Sequence, residues 1–402
     1  MTHIDPQRQQ VALSIGVPQP WAAPAPGYSL SFLKLSDALG RKEVRAGWSM
    51  LAAESANRET LYQSPTWTES WLSAGDRRRT EVAVMRNASG SLVGAVPIRY
   101  QSVSLEFEVG NKVFHRRSWQ VANILGSQPL LPDEHDAHAT LYEAILRRND
   151  ACSGLLFRKL PTDSYTWHAL QAYAEQGCLI HPLDGVRKQH YIHLAQAPDA
   201  CLARMSRKHR RYLRERMAAF DEAANPGSRL VRIDSPQQVR VLLSLAARVS
   251  QQSWQHRELG PRVSTDPAEI QRLTHLASSG VLRSYLLFYR EEPCAFAIGY
   301  QYKDVYHYVE VGYAEKFAGL SPGTVLLLMI QRDLAGHRPA RWLDFGWGEA
   351  PYKARFGTHS TDNASVIVLP RTYSNRALTS AHAGFVRIRD RVRDLVRART
   401  RR

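Results

Sequence analysis

The chain has 402 residues, enough for two cores of ordinary size, with 44% apolar and 22% charged residues. That balance excludes a disordered, collagen-like or disulfide-stapled chain; four cysteines, Cys152, Cys178, Cys201 and Cys294, in no CxxC or CxxH spacing, supply neither a zinc site nor a disulfide framework. The net charge of +16 is concentrated in residues 204–216, with seven bases and one acid, and residues 376–402, with nine arginines and two aspartates, so the rest of the chain is close to neutral.

The first 27 residues are polar and Pro-rich, lack the basic start and apolar centre of a secretory signal, and are expected to be disordered. No run reaches the roughly 18 apolar residues of a membrane span, so a cytoplasmic protein is expected. Residues 80–100 alternate around Asn-Ala-Ser-Gly and predict a hairpin. A helix with the stripe Leu141, Ile145 and Leu146 follows, then a strand (GLLFRKL), a helix around 167–174 and a strand ending at Leu194. The second half repeats this order. Helices over about 203–220 and 236–253 precede a hairpin within 284–300 that turns at 291–293. Then come a strand (VYHYVEVGY), a helix over about 322–335, a strand (RWLDFGW), a short helix from Pro351 and a strand (ASVIVLP). The alternation predicts an α/β protein and a duplicated unit, divided near residue 195 at AQAPDA. In the tail, Phe385, Ile388, Val392, Leu395 and Val396 form one helical stripe among arginines. Such a helix suits an anionic membrane surface, or simply docks on its own domain.

Residues 315–324 (EKFAGLSPGT) join a predicted strand to an apolar helix. Ser321 suits an N-cap, Pro322 the first helical position, and Gly319 and Gly323 leave the approach clear. Free amides at that helix start form a site for an anion such as a pyrophosphate, with Lys316 adding charge; the same residues also read as an ordinary helix start. In the preceding strand, alternation places Tyr306, Tyr308 and Glu310 on one face, and His307, Val309 and Val311, packed in the core, on the other. Glu310 is then placed to take a proton from an attacking amine or hydroxyl, directly or through water; otherwise it is a solvated residue paired with Lys303 or Lys316. The second cluster is 344–353 (DFGWGEAPYK), where a strand ends at Asp344, Gly346 and Gly348, and Glu349 precedes a helix bearing Tyr352 and Lys353. In open α/β sheets ligands bind beyond the carboxyl ends of strands, where both clusters would meet. Tyr352 can give a proton to a leaving thiolate and Lys353 can contact a phosphate or an acceptor carboxylate. A Gly-rich turn with an aromatic plug is the plainer reading of the same stretch.

These residues resemble the GNAT acyltransferase superfamily, and more specifically the CelD/BcsL-like proteins, whose tandem arrangement is also seen in Fem-type transferases. Lys316, Gly319 and Ser321 stand at the spacing of the superfamily's acyl-CoA loop (Arg or Gln, two residues, Gly, one residue, Gly or Ala), with two of the three substituted. LSPGTVLLLMIQRDLAG followed by LDFGWGEAPYKARFG is similar to the family's Ser-Pro-Gly loop and its Asp-Phe-Gly…Tyr-Lys segment. SPTWTESW near residue 64, SRKHRRYLRER at 206 and QQSWQHR at 251 are further points of likeness.

Over residues 28–375 the resemblance implies two tandem GNAT-like domains, each a mixed, mainly antiparallel sheet flanked by helices. The copy over 28–195, in which ANILGSQPLLPDEH lacks a matching loop, is expected to be degenerate and to shape the acceptor cleft. The copy over 196–375 would bind acyl-CoA, and 376–402 would be a separate basic helix. The implied reaction is direct attack of an amine or hydroxyl on the thioester, with strand amides near Val311 polarising the carbonyl. Glu310, Tyr352 and Asp344 form the candidate catalytic set. Val311, Lys316, Gly319, Leu320, Ser321, Gly323 and Thr324 are the candidates to hold the acyl-CoA, acetyl-CoA first among such donors. Tyr308, Trp254, Lys353, Lys208 and Arg211 are the candidates for the substrate, and no metal is expected. The family's company suggests a small-molecule, lipid or saccharide acceptor from surface-polysaccharide or envelope assembly. Two other functions stay open: a Fem-like aminoacyltransferase using aminoacyl-tRNA, which the basic helix at 204–216 makes physically possible, and a non-catalytic adaptor of a polysaccharide synthase complex, brought to the inner face of the membrane by the arginine tail.

Overall fold

The structure is a computed structural model that describes residues 27–73, 80–109, 112–148, 152–175, 177–194, 200–221, 223–348 and 350–399. The expected leader, the 195–199 boundary and Glu349 lie outside the described residues. The strands are β1 (Tyr28–Lys34), β2 (Thr80–Asn87), β3 (Leu92–Val109), β4 (Lys112–Ile124), β5 (Gly154–Pro161), β6 (Cys178–His193), β7 (Arg229–Ile233), β8 (Ser284–Tyr289), β9 (Glu292–Tyr302), β10 (Val305–Tyr313), β11 (Trp342–Asp344) and β12 (His359–Pro370).

They form one twelve-stranded sheet in the order β1-β2-β3-β4-β5-β12-β6-β11-β10-β9-β8-β7. Read from either edge, the row begins with five consecutive strands of one half, and the sixth strands of the two halves, β12 and β6, meet in the middle in exchanged positions. Each half has one parallel pair, β4 with β5 and β10 with β11, and every other named pair is antiparallel. The duplication expected from the order of elements is thus an approximate two-fold arrangement about the β6–β12 seam. Because each half borrows the other's last strand, the halves share one continuous ladder.

Helices cover both faces, which explains why β9 is buried along nearly its whole length instead of alternating. Its Ala295 and Ala297 pack under the apolar helix Pro322–Gly336. Its Phe296, Ile298 and Tyr300 pack against the stripe Val239, Leu242, Leu243, Ala246 and Val249 of the helix Val239–Gln251. The hairpin between β8 and β9 turns on Arg290 and Glu291, both at positive φ, one residue before the expected 291–293. The strand read from RWLDFGW is only three residues long, because Gly346 and Gly348 take φ of +67° and +93° and turn the chain out of the sheet. The tail forms the helix Tyr373–Arg399. Its Phe385 docks on Phe107, with ring centres 5.4 Å apart, whereas Ile388 and Val392 of the same stripe stay exposed; the side chains of Leu395 and Val396 lie outside the description. Among the described residues, no helix is long and apolar enough to cross a membrane.

Candidate functional site

β10 and β11 pair in parallel only from Val305–His307 to Trp342–Asp344. Beyond that point β10 runs on to Tyr313 while the Asp344–Gly348 backbone turns away, and the strands part into a cleft. At the same level β10 carries a bulge: Tyr308 faces Gly299, Glu310 faces Ile298, and Val309 is the extra residue. The bulge overturns the expected alternation. Tyr306 and Tyr308 are buried under the helix Pro322–Gly336, and Val311, not Glu310, continues that face. Glu310 emerges on the other face, where both its oxygens accept from Arg262, from Nε at 2.5 Å and Nη2 at 2.9 Å.

A cavity of about 300 Å³ opens in this cleft. It brings together seven of the candidates from widely separated stretches: Trp254, Tyr308, Val311, Ser321, Gly323, Thr324 and Tyr352. Phe296, Gly312 and Tyr313 close its strand side; a Cβ on Gly312 would stand 2.7 Å from the Phe296 ring, so this position needs glycine. Ser321 heads the helix in a left-handed conformation (φ +53°, ψ +46°) and its carbonyl accepts from the amides of Thr324 and Val325. Ser321, Pro322, Gly323 and Thr324 all line the cavity, so the positive end of the helix stands at its mouth. The far end of the helix is pinned by the fully buried Arg283, whose guanidinium donates to the Asp333 carboxylate at 2.6 Å and to the carbonyls of His337 and Arg338.

Gly319 and Leu320 belong to the turn Glu315–Leu320 but not to the cavity wall. Lys316 points elsewhere: its ammonium pairs with Glu292 and lies over the Phe317 ring. The turn is tied to the short helix Trp254–Leu259 by a two-pronged Arg257–Glu315 pair at 2.9 and 3.0 Å, which holds Trp254 at the rim. Tyr352 reaches the cavity from the helix Pro351–Phe356, its ring edge-on to Phe345. Burial first, then the Glu310 carboxylate, pushes its phenol up to about 12, so the proton is held across the neutral range.

Asp344 and Lys353 lie behind the cleft, at the seam between the halves. Asp344 accepts from the Gly346 amide at 2.8 Å, from Gln189 Nε2 at 2.9 Å and from His307 Nδ1 at 3.3 Å. The same Gln189 amide donates to Glu59 at 2.6 Å, and Asn363 donates to the Gln189 oxygen at 3.0 Å. Burial and the neighbouring Asp344 push Glu59 up to about 7, whereas its hydrogen-bond donors hold Asp344 low: two carboxylates share one proton, kept on Glu59. Sequence spacing, on which no metal site was expected, hides the convergence of Glu59, His307 and Asp344, whose donor atoms lie within 4.8 Å of one another. Lys353 donates to the carbonyls of Gly346 and Trp347 at 3.3 and 3.0 Å, fixing the turn that opens the cleft; burial lowers its ammonium to about 8.

A buried carboxyl raised in this way costs stability as pH rises. The native state keeps a proton that the unfolded chain gives up near 4.5, so Glu59's contribution falls from there until about pH 7 and then levels off. Glu59→Gln keeps the shape and donates to Asp344 without titrating. It is expected to gain on the order of 2 kcal/mol over the parent at pH 8 and little at pH 4.5, measured by urea unfolding. An unchanged pH profile would show that Glu59 is not the proton carrier.

The basic helix is Arg207–Ala218, capped by Ser206 and seated through Leu213 and Met217. Lys208 and Arg211 lie not in the cavity but on an open groove beside it, with Arg207, Arg210, Arg214 and Glu215. Arg211 is paired with Glu215 at 2.8 Å. The groove adjoins the 315–324 loop, because the Tyr212 hydroxyl lies 2.6 Å from that of Ser321. In the first half, the loop expected to be degenerate lines a separate cleft of about 790 Å³ through Gln128–Asp133, together with Arg58, Glu59, Tyr191 and Thr361.

Sequence reading missed Arg262, which sits in an aperiodic loop, and Glu59 and Gln189, whose importance arises only when strands from both halves meet. Gly312 was the available signal, a glycine inside an otherwise bulky strand.

Residues 207–354 match the family described as Acetyltransferase (GNAT) domain. The crystal structure of FemX superposes with a TM-score of 0.59 at 11% identity, covering 83% of this chain and 98% of that chain. A conserved protein of unknown function from Bacteroides thetaiotaomicron VPI-5482 superposes with a TM-score of 0.50 at 14% identity, covering 84% and 99%. At such identities the likeness is one of fold. No curated protein matches the chain. Over residues 207–354 the chain is thus similar to a GNAT acetyltransferase domain, which supports an acyltransferase.

Proposed function

Proceeding from that domain, we propose that the protein transfers an acyl group, acetyl first, from a coenzyme A thioester to an amine or hydroxyl by direct attack. The observation that carries this reading is the cavity at the parting of β10 and β11, with the start of the helix Pro322–Gly336 at its mouth and Tyr352 in its wall. The diphosphate would lie against the Gly323 amide and the thioester carbonyl against the strand amides near Val311. The acceptor nitrogen or oxygen attacks the carbonyl carbon, Glu310 takes its proton directly or through water, and the C–S bond breaks as Tyr352 protonates the departing sulfur. No covalent enzyme intermediate is required.

The acceptor would come from the face opposite the donor, where Glu310 emerges, and the cleft of the first half would shape its approach. That cleft carries Glu54, Asp133 and Asp163 against Arg58, with Glu59 protonated beside them, a balance that suits a cationic amine. The sequence resemblance to CelD/BcsL-like proteins suggests a saccharide or envelope-lipid acceptor. One observation keeps the tRNA-dependent alternative in view: Arg207, Lys208 and Arg214 have no partner among the described residues and stand beside the donor loop.

Release of free thiol from acetyl-CoA, followed with a panel of amine and hydroxyl acceptors, tests the proposal. Acceptor-dependent release is the expected result. Indifference to every CoA thioester, together with salt-sensitive retention of aminoacyl-tRNA, would decide for the alternative.

A further inference from the structure

Five of the large apolar side chains exposed on the described surface crowd into one corner of the molecule. Val109 (55% exposed), Val113 (42%) and Phe114 (70%) stand at the tip of the β3–β4 hairpin, and Ile388 (65%) and Val392 (54%) on the helix Tyr373–Arg399. The two elements touch: Phe107 packs on Phe385 and on His382, with ring centres 5.4 Å apart in each case, and Arg389 reaches Glu108 at 3.8 Å. The helix is also anchored through the His181–His382 hydrogen bond at 3.0 Å and through Leu378. From Arg387 onward, Arg387, Ile388, Arg391 and Val392 are exposed and Arg389 is half-buried.

Cations surround these apolar groups. Glu106 is occupied by Arg116 at 2.6 Å and Glu108 by Arg389, which leaves Lys112 and Arg117 on the hairpin and Arg387 and Arg391 on the helix facing solvent. A bulky apolar centre within a cationic ring is the pattern of a surface that enters the headgroup region of an anionic bilayer. A second copy of the chain fits poorly, since pairing this corner with itself would set like charges face to face.

We propose that the hairpin tip and the outer half of the C-terminal helix form one peripheral membrane-binding face for anionic phospholipid. Phe114, Val113, Ile388 and Val392 enter the boundary between headgroups and acyl chains, while Lys112, Arg117, Arg387 and Arg391 meet lipid phosphates. The face is bipartite: neither element alone carries the full apolar patch. This inference does not depend on the identity of the acyl donor.

Sedimentation of the full chain with vesicles of phosphatidylcholine, with and without about 30% phosphatidylglycerol, tests it. The parent is expected to bind only the anionic vesicles and to be released at high salt. Phe114→Asp on the hairpin, and separately Ile388→Asp, should each weaken partitioning on the order of tenfold. Both positions are exposed, so an unchanged melting temperature serves as the check on folding. Equal binding to neutral vesicles would overturn the proposal. So would parental binding by Phe114→Asp, which would leave the helix acting alone, or self-association that these variants abolish without any vesicle binding by the parent.

Discussion

Tyr352→Phe is expected to lower kcat by a factor of about 10² to 10³ while leaving the affinity for acetyl-CoA nearly unchanged. The substitution removes one hydroxyl from a half-buried ring and keeps the packing on Phe345, so donor binding retains its contacts. What disappears is the proton for the departing sulfur. Because the phenol is held up to about 12 by burial and by Glu310, parental activity should show no alkaline loss attributable to Tyr352 below about pH 10. Pre-steady-state measurements separate the steps: acyl transfer should slow, and donor association should not. If kcat is unaffected, the proton reaches sulfur from water or from another group and the assignment of Tyr352 is wrong.

Asp344→Ala is expected to destabilise the fold by about 3 to 5 kcal/mol, read from urea unfolding. The residue is buried and takes hydrogen bonds from Gln189, His307 and the Gly346 amide. Truncation orphans the His307 and Gly346 donors in a buried site, leaves the Gln189 amide with Glu59 alone, and leaves the proton on Glu59 without its acceptor. Asp344→Asn retains an acceptor for the Gly346 amide and should cost roughly half as much. The effect on activity should follow the loss of structure: Asp344 holds the turn at which β11 leaves the sheet and does not line the cavity. A stable Asp344→Ala protein with normal unfolding but no turnover would instead assign it a direct chemical part.

Much of the fold was legible because its signals are local. The apolar helix Pro322–Gly336 announces itself by Pro322 after Ser321 and an unbroken run of leucines. The hairpins at Asn87 and at Arg290–Glu291 follow from alternation broken by turn residues. The gathering of Trp254, Tyr308, Ser321 and Tyr352 was legible as well, since strand ends and helix starts converge in an open sheet. The Val309 bulge was not: one inserted residue reverses every later side chain of the strand, and nothing in VYHYVEVGY marks where the ladder slips. It moved Glu310 to the face opposite Tyr308. The exchange of β6 and β12 was equally hidden, because pairing between strands some 180 residues apart leaves no mark on either sequence. With it went the Glu59–Gln189–Asp344 network, which exists only at that seam.

Calorimetric titration of the full chain with acetyl-CoA, beside Gly323→Trp, tests the central claim most directly. Gly323 lines the cavity, and a Cβ there would meet only the Tyr313 ring at ordinary contact distance, so the larger side chain can be housed at the mouth without disturbing the core. The expected result is a one-to-one isotherm for the parent, and no measurable heat for a variant that melts as the parent does. Identical isotherms for the two proteins would place the donor elsewhere and contradict the account.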